Sequence, residues 1–172
     1  MNKRQLSAFT FGILLLAASC RKTDKLHQPA STSNEVAKAA ASAPAASTWQ
    51  AAQWNSNKQD KFTTYNTQIK DSSITTAVIK SGLVLVYIND GSAIASLPHQ
   101  QKGSNDAFWY HQLSKNTLQI NVDVYAGQVN PAASQVRYFV ISSERLAALQ
   151  TEGKTKQSLM SLTYEDATTL LK

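Results

Sequence analysis

The sequence predicts a mostly β domain: an antiparallel sandwich or open barrel, with a short helical turn after its first strand and one or two helices at the C-terminal end. Three observations carry that expectation. Aromatic and β-branched residues gather from Trp49 onward, short extended runs are separated by frequent turn residues, and no strand–helix–strand alternation repeats along the chain. No internal repeat is visible.

Phe62 to Ile69 reads Phe-Thr-Thr-Tyr-Asn-Thr-Gln-Ile, rich in strand formers, and Asp71-Ser72-Ser73 closes it with turn chemistry. Ile74 to Lys80 follows a Ser or Asp cap and stops before Gly82, which suits a short helical turn. Leu83 to Ile88 is apolar at every position, as expected of a central strand covered on both faces, and Asn89-Asp90-Gly91 supplies a hairpin signal. Ser92 to Leu97 returns as the partner strand and is stopped by Pro98, which has no N–H to give a ladder.

A second hairpin follows, with Ala107 to Leu113 and Thr117 to Tyr125 flanking the polar loop Ser114-Lys115-Asn116. In its later strand Leu118, Ile120, Val122 and Val124 alternate with Gln119, Asn121, Asp123 and Tyr125, so one face is expected dry and the other wet. The loop Ala126 to Ser134 precedes a strand from Gln135 to Ile141. Ser143 to Gln150 and Tyr164 to Leu171 read as helices, the second with Thr163 and Asp166 spaced as a capping box.

The N-terminal part is an address. Lys3 and Arg4 form a positive start, Leu6 to Leu16 an apolar run, and Ala17-Ala18-Ser19 a small-residue stretch, the pattern of a signal peptide over residues 1–19. The apolar run is about a dozen residues, short of the roughly 20 that a membrane-spanning helix needs. Ala17-Ala18-Ser19-Cys20 resembles the bacterial lipobox, with the leucine one place early at Leu16. That resemblance implies diacylglycerol transfer to Cys20, cleavage before it and acylation of the new terminus. Each buried methylene is worth about 0.8 kcal/mol, so several acyl chains would hold the protein on a membrane. Cys20 is the sole cysteine, so no intramolecular disulfide can form.

Residues 20–48 carry Pro29, Pro44 and many Ala and Ser but almost no large apolar residues, which reads as a disordered tether spanning about 30 Å. Residues 49–172 are then a single β-rich domain. Most of the formal charge of +6 belongs to the address and tether, because from Trp49 onward 11 basic residues face 9 acidic ones. Scattered charge of that kind points to no nucleic-acid partner.

Gly82-Leu83-Val84-Leu85-Val86-Tyr87, then Ser96-Leu97-Pro98, then Arg137-Tyr138-Phe139-Val140-Ile141 resemble three landmarks of a family of uncharacterised Bacteroidota-type lipoproteins. The likeness spans about Ile74 to Ile141. It implies fold positions and carries no catalytic residues with it. Where that family often has an aromatic shortly before the Leu-Pro, this chain has Ile94 and Ala95.

Candidate chemistry is sparse. His99, Asp106 and His111 have donor types that suit zinc but match no metal motif, so no metal is expected. Serines are plentiful without a Gly-x-Ser-x-Gly elbow, Asp90, Asp106 and Asp123 sit in turn or exposed-face contexts, and no Gly-rich phosphate loop is present. No cofactor is expected. Arg137, in a near-apolar strand, is expected to pair with an internal acid or lay its stem along the sheet, with recognition of a carboxylate as its functional alternative. Phe108-Trp109-Tyr110-His111 is the most suggestive run, since alternate aromatics on an exposed strand face can stack on a sugar or peptide. Either Phe108 and Tyr110 point inward and Trp109 and His111 outward, or the reverse, with core packing the use of at least one set; Trp109 and His111 are taken as the ligand-binding pair.

The expected function is a membrane-tethered, noncatalytic binding or accessory module of the cell envelope, anchored through Cys20, most simply to the outer membrane, with an envelope protein or glycan as partner. An envelope hydrolase is the alternative, and a structural component of an envelope complex is a further one. A hydrolase would need a concave pocket with convergent polar groups, a binding module an exposed aromatic patch, and a structural component a large flat apolar surface.

Overall fold

The computed structural model describes residues 43–172 apart from 104, 105 and 128, all within one compact unit. The signal peptide, Cys20 and most of the tether lie outside the described residues. In chain order the strands are β1 (Ala45–Ala46), β2 (Gln50–Ala51), β3 (Asn55–Lys58), β4 (Thr63–Lys70), β5 (Leu83–Asn89), β6 (Ile94–Ser96), β7 (His99–Gln101), β8 (Asp106–Ser114), β9 (Thr117–Ala126) and β10 (Gln135–Ile141). The helices are α1 (Thr76–Ser81), α2 (Ser143–Thr151), α3 (Lys156–Met160) and α4 (Tyr164–Leu170).

Two antiparallel sheets result. In one, β10 lies between β5 on one side and both β1 and β2 on the other, and β6 extends β5. The other runs β3-β4-β9-β8-β7. The first is covered by α2, α3 and α4 on the face turned away from the second, so the domain is a sandwich with a helical third layer. We call the two the helix-backed sheet and the open sheet.

β5 explains the layering. All residues from Leu83 to Ile88 are buried, and strand periodicity divides them: Val84, Val86 and Ile88 face the open sheet, while Leu83, Leu85 and Tyr87 face the helices. β10 pairs with β5 along its whole length and alternates the same way, Val136, Tyr138 and Val140 inward against Phe139 and Ile141 toward the helices. Leu118, Ile120 and Val122 of β9 complete the inter-sheet core, and Leu146, Leu149, Leu159 and Ala167 complete the one under the helices. The expectation of two dry faces is met because two different layers claim them, but β5 is central in its sheet only over Tyr87–Asn89, where β6 pairs with it.

Two tyrosines tie the layers by their hydroxyls. Tyr138 crosses the sandwich to donate to Asp71 Oδ2 at 2.8 Å, and Tyr87 donates to the Leu162 carbonyl at 3.2 Å in the α3–α4 connection. Burial, reinforced by Asp71 for Tyr138 and by Asp166 and Glu165 for Tyr87, pushes both phenols up to about 12.

Several local expectations are corrected. The sheet begins before Trp49: Ala45 and Ala46 pair with Val140 and Phe139, and Ser47 exchanges bonds with Tyr138, N–H to carbonyl at 3.0 Å and hydroxyl oxygen accepting from Tyr138 N at 2.9 Å. A backbone ladder needs no apolar side chain, so an Ala- and Ser-rich stretch can join a sheet edge. The cap of α1 is Thr75, whose Oγ1 accepts from Val78 N at 3.2 Å, whereas Asp71 caps the preceding turn through Ser73 N. Gly82 ends α1 in extended backbone, and its value is space: a Cβ there would meet the Ile141 carbonyl oxygen at 2.5 Å. β6 is shorter than Ser92 to Leu97, because Asp90 Oδ1 gathers Ser92 N, Ser92 Oγ and Ala93 N into the turn. After Pro98 the chain crosses to the other sheet and forms β7, paired with β8. β1, β2, β3 and α3 were not anticipated. Thr163 caps α4 as expected, its hydroxyl accepting from Asp166 N, while the second bond of the pair is hydroxyl to carboxylate, Thr163 Oγ1 donating to Asp166 Oδ2.

Because β5 is packed from both sides, Leu85→Ala and Ile88→Ala should each cost about 2–5 kcal/mol in urea unfolding, although they serve different cores. Gln112→Ala, at an exposed position on β8, should change stability by less than about 0.5 kcal/mol. A negligible loss at either Leu85 or Ile88 would mean that one face of β5 is unpacked.

Candidate functional site

The open sheet has no layer over its outer face among the described residues, and its register decides which side chains stand there. β8 and β9 are joined by the two-residue turn Lys115-Asn116, with Asn116 in the left-handed region at φ 60° and Ser114 opposite Thr117. Leu113 therefore stands opposite Leu118, His111 opposite Ile120 and Trp109 opposite Val122, all on the inward side. Phe108 opposite Asp123 and Tyr110 opposite Asn121 point outward.

This reverses the expected assignment of Trp109 and His111. Trp109 is only 4% exposed and meets Trp54 edge to face, with ring centroids 5.9 Å apart. His111 is partly buried on the same inward side, its Nδ1 without a hydrogen-bond partner, and burial lowers its pKa below the ordinary histidine value. The outward aromatics are instead Phe108, 38% exposed, and Tyr110, nearly parallel at 22° with centroids 5.5 Å apart.

Around that pair the outer face is lined with amides and hydroxyls. Gln68 Nε2 donates to Gln119 Oε1 at 3.4 Å, Gln119 Nε2 donates to Asn121 Oδ1 at 2.8 Å, and Thr64 Oγ1 donates to Asp123 Oδ1 at 2.7 Å. Asn121 was expected to be wet but is 4% exposed, flanked by Asn66 and Tyr110 on the neighbouring strands, and its Nδ2 has no partner. Burial, followed by the Asp123 carboxylate, raises the Tyr110 phenol. Two residues beyond Asp123 on the same face, Tyr125 is 50% exposed and meets Phe62 with centroids 5.5 Å apart. These two rings line an open groove of about 560 Å³ with Lys58, Lys61 and Asn130.

The remaining expected chemistry does not assemble. His99 is exposed on β7 opposite Trp109, Asp106 starts β8, and among the described residues no group of three or more His, Cys, Asp or Glu is placed to hold a metal ion. Arg137 has no carboxylate within ion-pair distance among the described residues. Its Nη1 donates to the Tyr164 hydroxyl, and its guanidinium lies 5.3 Å from the Tyr164 ring centroid and 5.5 Å from that of Phe139. Trp49 and Tyr87 both pack on Tyr164, so aromatic rings take the place of the expected internal acid.

The lowered His111 pKa has a sign that can be followed. A neutral imidazole favoured by the fold contributes stability that is present above the unfolded value of about 6.5 and is lost as pH falls toward the folded value. The thermal midpoint should therefore drop below about pH 6.5, and His111→Gln should flatten that part of the profile. An unchanged profile would show that the imidazole is solvated in the fold. No family model, curated protein or solved structure matches the chain.

Proposed function

We propose that the protein is a lipid-anchored, noncatalytic binding module of the bacterial cell envelope, related to Bacteroidota-type lipoproteins, and that it engages a glycan with the outer face of its open sheet. The anchor rests on the sequence from Lys3 to Cys20, and the outer membrane is the location that best suits it. The observation that carries the binding reading is the pairing of exposed Phe108 and Tyr125 with half-buried Tyr110 and Phe62 on one face, beside side-chain amides.

The chemistry favours sugar. Pyranose rings present apolar C–H faces that stack on aromatics, while their hydroxyls pair with neutral amides and hydroxyls, which both donate and accept. Gln68, Gln119 and Thr64 supply such groups, and Asp123 adds an acceptor. The groove beside Phe62 and Tyr125 lies within the size range of ligand sites and gives a chain-like ligand a continuation beyond the strand face.

The test is affinity electrophoresis of the full-length chain through gels containing a neutral polysaccharide, together with sedimentation on purified peptidoglycan. Phe108→Ala/Tyr110→Ala should weaken retardation or sedimentation about tenfold with little change in melting temperature, since both side chains are on the solvent side. In the same preparation Cys20→Ser should abolish labelling by palmitate and detergent-phase partitioning. Glycan affinity unchanged by the double variant would overturn the face, and membrane partitioning retained by Cys20→Ser would overturn the anchor.

A further inference from the structure

A separate feature lies on the opposite side of the open sheet, where the sandwich is left ajar. β6 pairs with β5 only over Tyr87–Asn89, so the stretch from Leu83 to Val86 has β10 on one side and no strand on the other. Leu97 N reaches the Val86 carbonyl at 2.9 Å and Lys156 Nζ reaches the Gly82 carbonyl at 3.2 Å, and between those two contacts the edge borders a cavity of about 150 Å³.

The walls of that cavity are chemically uneven. Val84, Val86, Leu97 and Leu113 make it apolar, and Ile79 and Met160, 38% and 45% exposed, stand beside it where polar side chains would be the default. His111 lines it, and its buried Nδ1 has no hydrogen-bond partner among the described residues. Among the described residues Lys156 is the one charged side chain on the lining, with no carboxylate beside it. Its ammonium has three hydrogens and makes one side-chain hydrogen bond among the described residues.

We propose that this cavity is a binding site for a small amphiphilic carboxylate, with the apolar body against Val84, Val86, Leu97 and Leu113 and the carboxylate directed to Lys156. Size and charge both argue for it. An apolar cavity of this volume accommodates one benzene-sized ring or a comparable aliphatic chain, and a lone cation at an otherwise uncharged pocket complements a single negative charge. The glycan-binding face lies across the open sheet from this site and shares none of the residues named here.

The experiment is a titration of the full-length chain with benzoate, and separately with benzyl alcohol, read by imidazole NMR signals of its three histidines. Benzoate should shift His111 saturably and leave His99 in place, and benzyl alcohol should bind about fivefold more weakly because it lacks the charge that meets Lys156. Lys156→Ala, at an exposed position, should weaken benzoate by the same factor and leave benzyl alcohol unchanged. Equal binding of the two probes with no effect of Lys156→Ala would overturn the carboxylate assignment. Absence of a saturable shift at His111, or equal movement of His99, would overturn the site.

Discussion

The architecture depends on one constraint: the β5–β10 pair is apolar on both faces and must be buried from both sides. A strand with one dry face can end a sandwich, as β9 does, with its alternate residues turned to amides and water. Leu83 to Ile88 cannot, because exposing either of its faces would leave three large apolar side chains in water. Each such side chain is worth about 1.5–3 kcal/mol when buried, so a bare face would forfeit an amount comparable with the whole stability of a domain. The open sheet covers one face. Three short helices following β10 cover the other, and their modest length is sufficient because tertiary packing rather than intrinsic helix stability holds them.

That constraint also decides which surfaces stay uncovered. The helices occupy one side of the helix-backed sheet, which leaves the outer face of the open sheet as the broad β surface available to a partner. The aromatic pairs and amides of β4, β8 and β9 are gathered there. The shortness of β6 has the opposite effect at the edge: it leaves β5 partly unpaired and creates the cavity that His111 and Lys156 share. Arg137 belongs to the structural side, since its guanidinium is spread over Phe139 and Tyr164 beneath the helices.

Much of the fold was legible in the residues because pattern and environment agree. The unbroken apolar run of β5, the strict alternation of β9 and the Thr163–Asp166 cap each have one physical reading. The edge strands were not legible: β1 and β2 are two residues each, joined to β10 by backbone bonds that leave no mark on side-chain composition. The outward aromatic pair of β8 was misassigned by a single residue of register. Taking Ser114-Lys115-Asn116 as a three-residue loop would place Leu113 opposite Thr117 and turn Trp109 and His111 outward. The observed two-residue turn places Leu113 opposite Leu118 and turns them inward. The dry face of β9 together with the left-handed tolerance of Asn116 held enough information to choose the shorter turn. The burial of Asn121 was not foreseeable in that way, because it comes from Tyr110 and Asn66 on two different strands.

Hydrogen exchange at the backbone amides tests the central role of the β5–β10 pair most directly. If two-sided burial of this pair holds the three layers together, the amides that β5 and β10 exchange in their shared ladder should be the slowest in the domain. They should open only with global unfolding and follow its denaturant dependence. Amides of β4 and β9 exchanging more slowly than these, or β5 opening locally at low denaturant, would contradict the account.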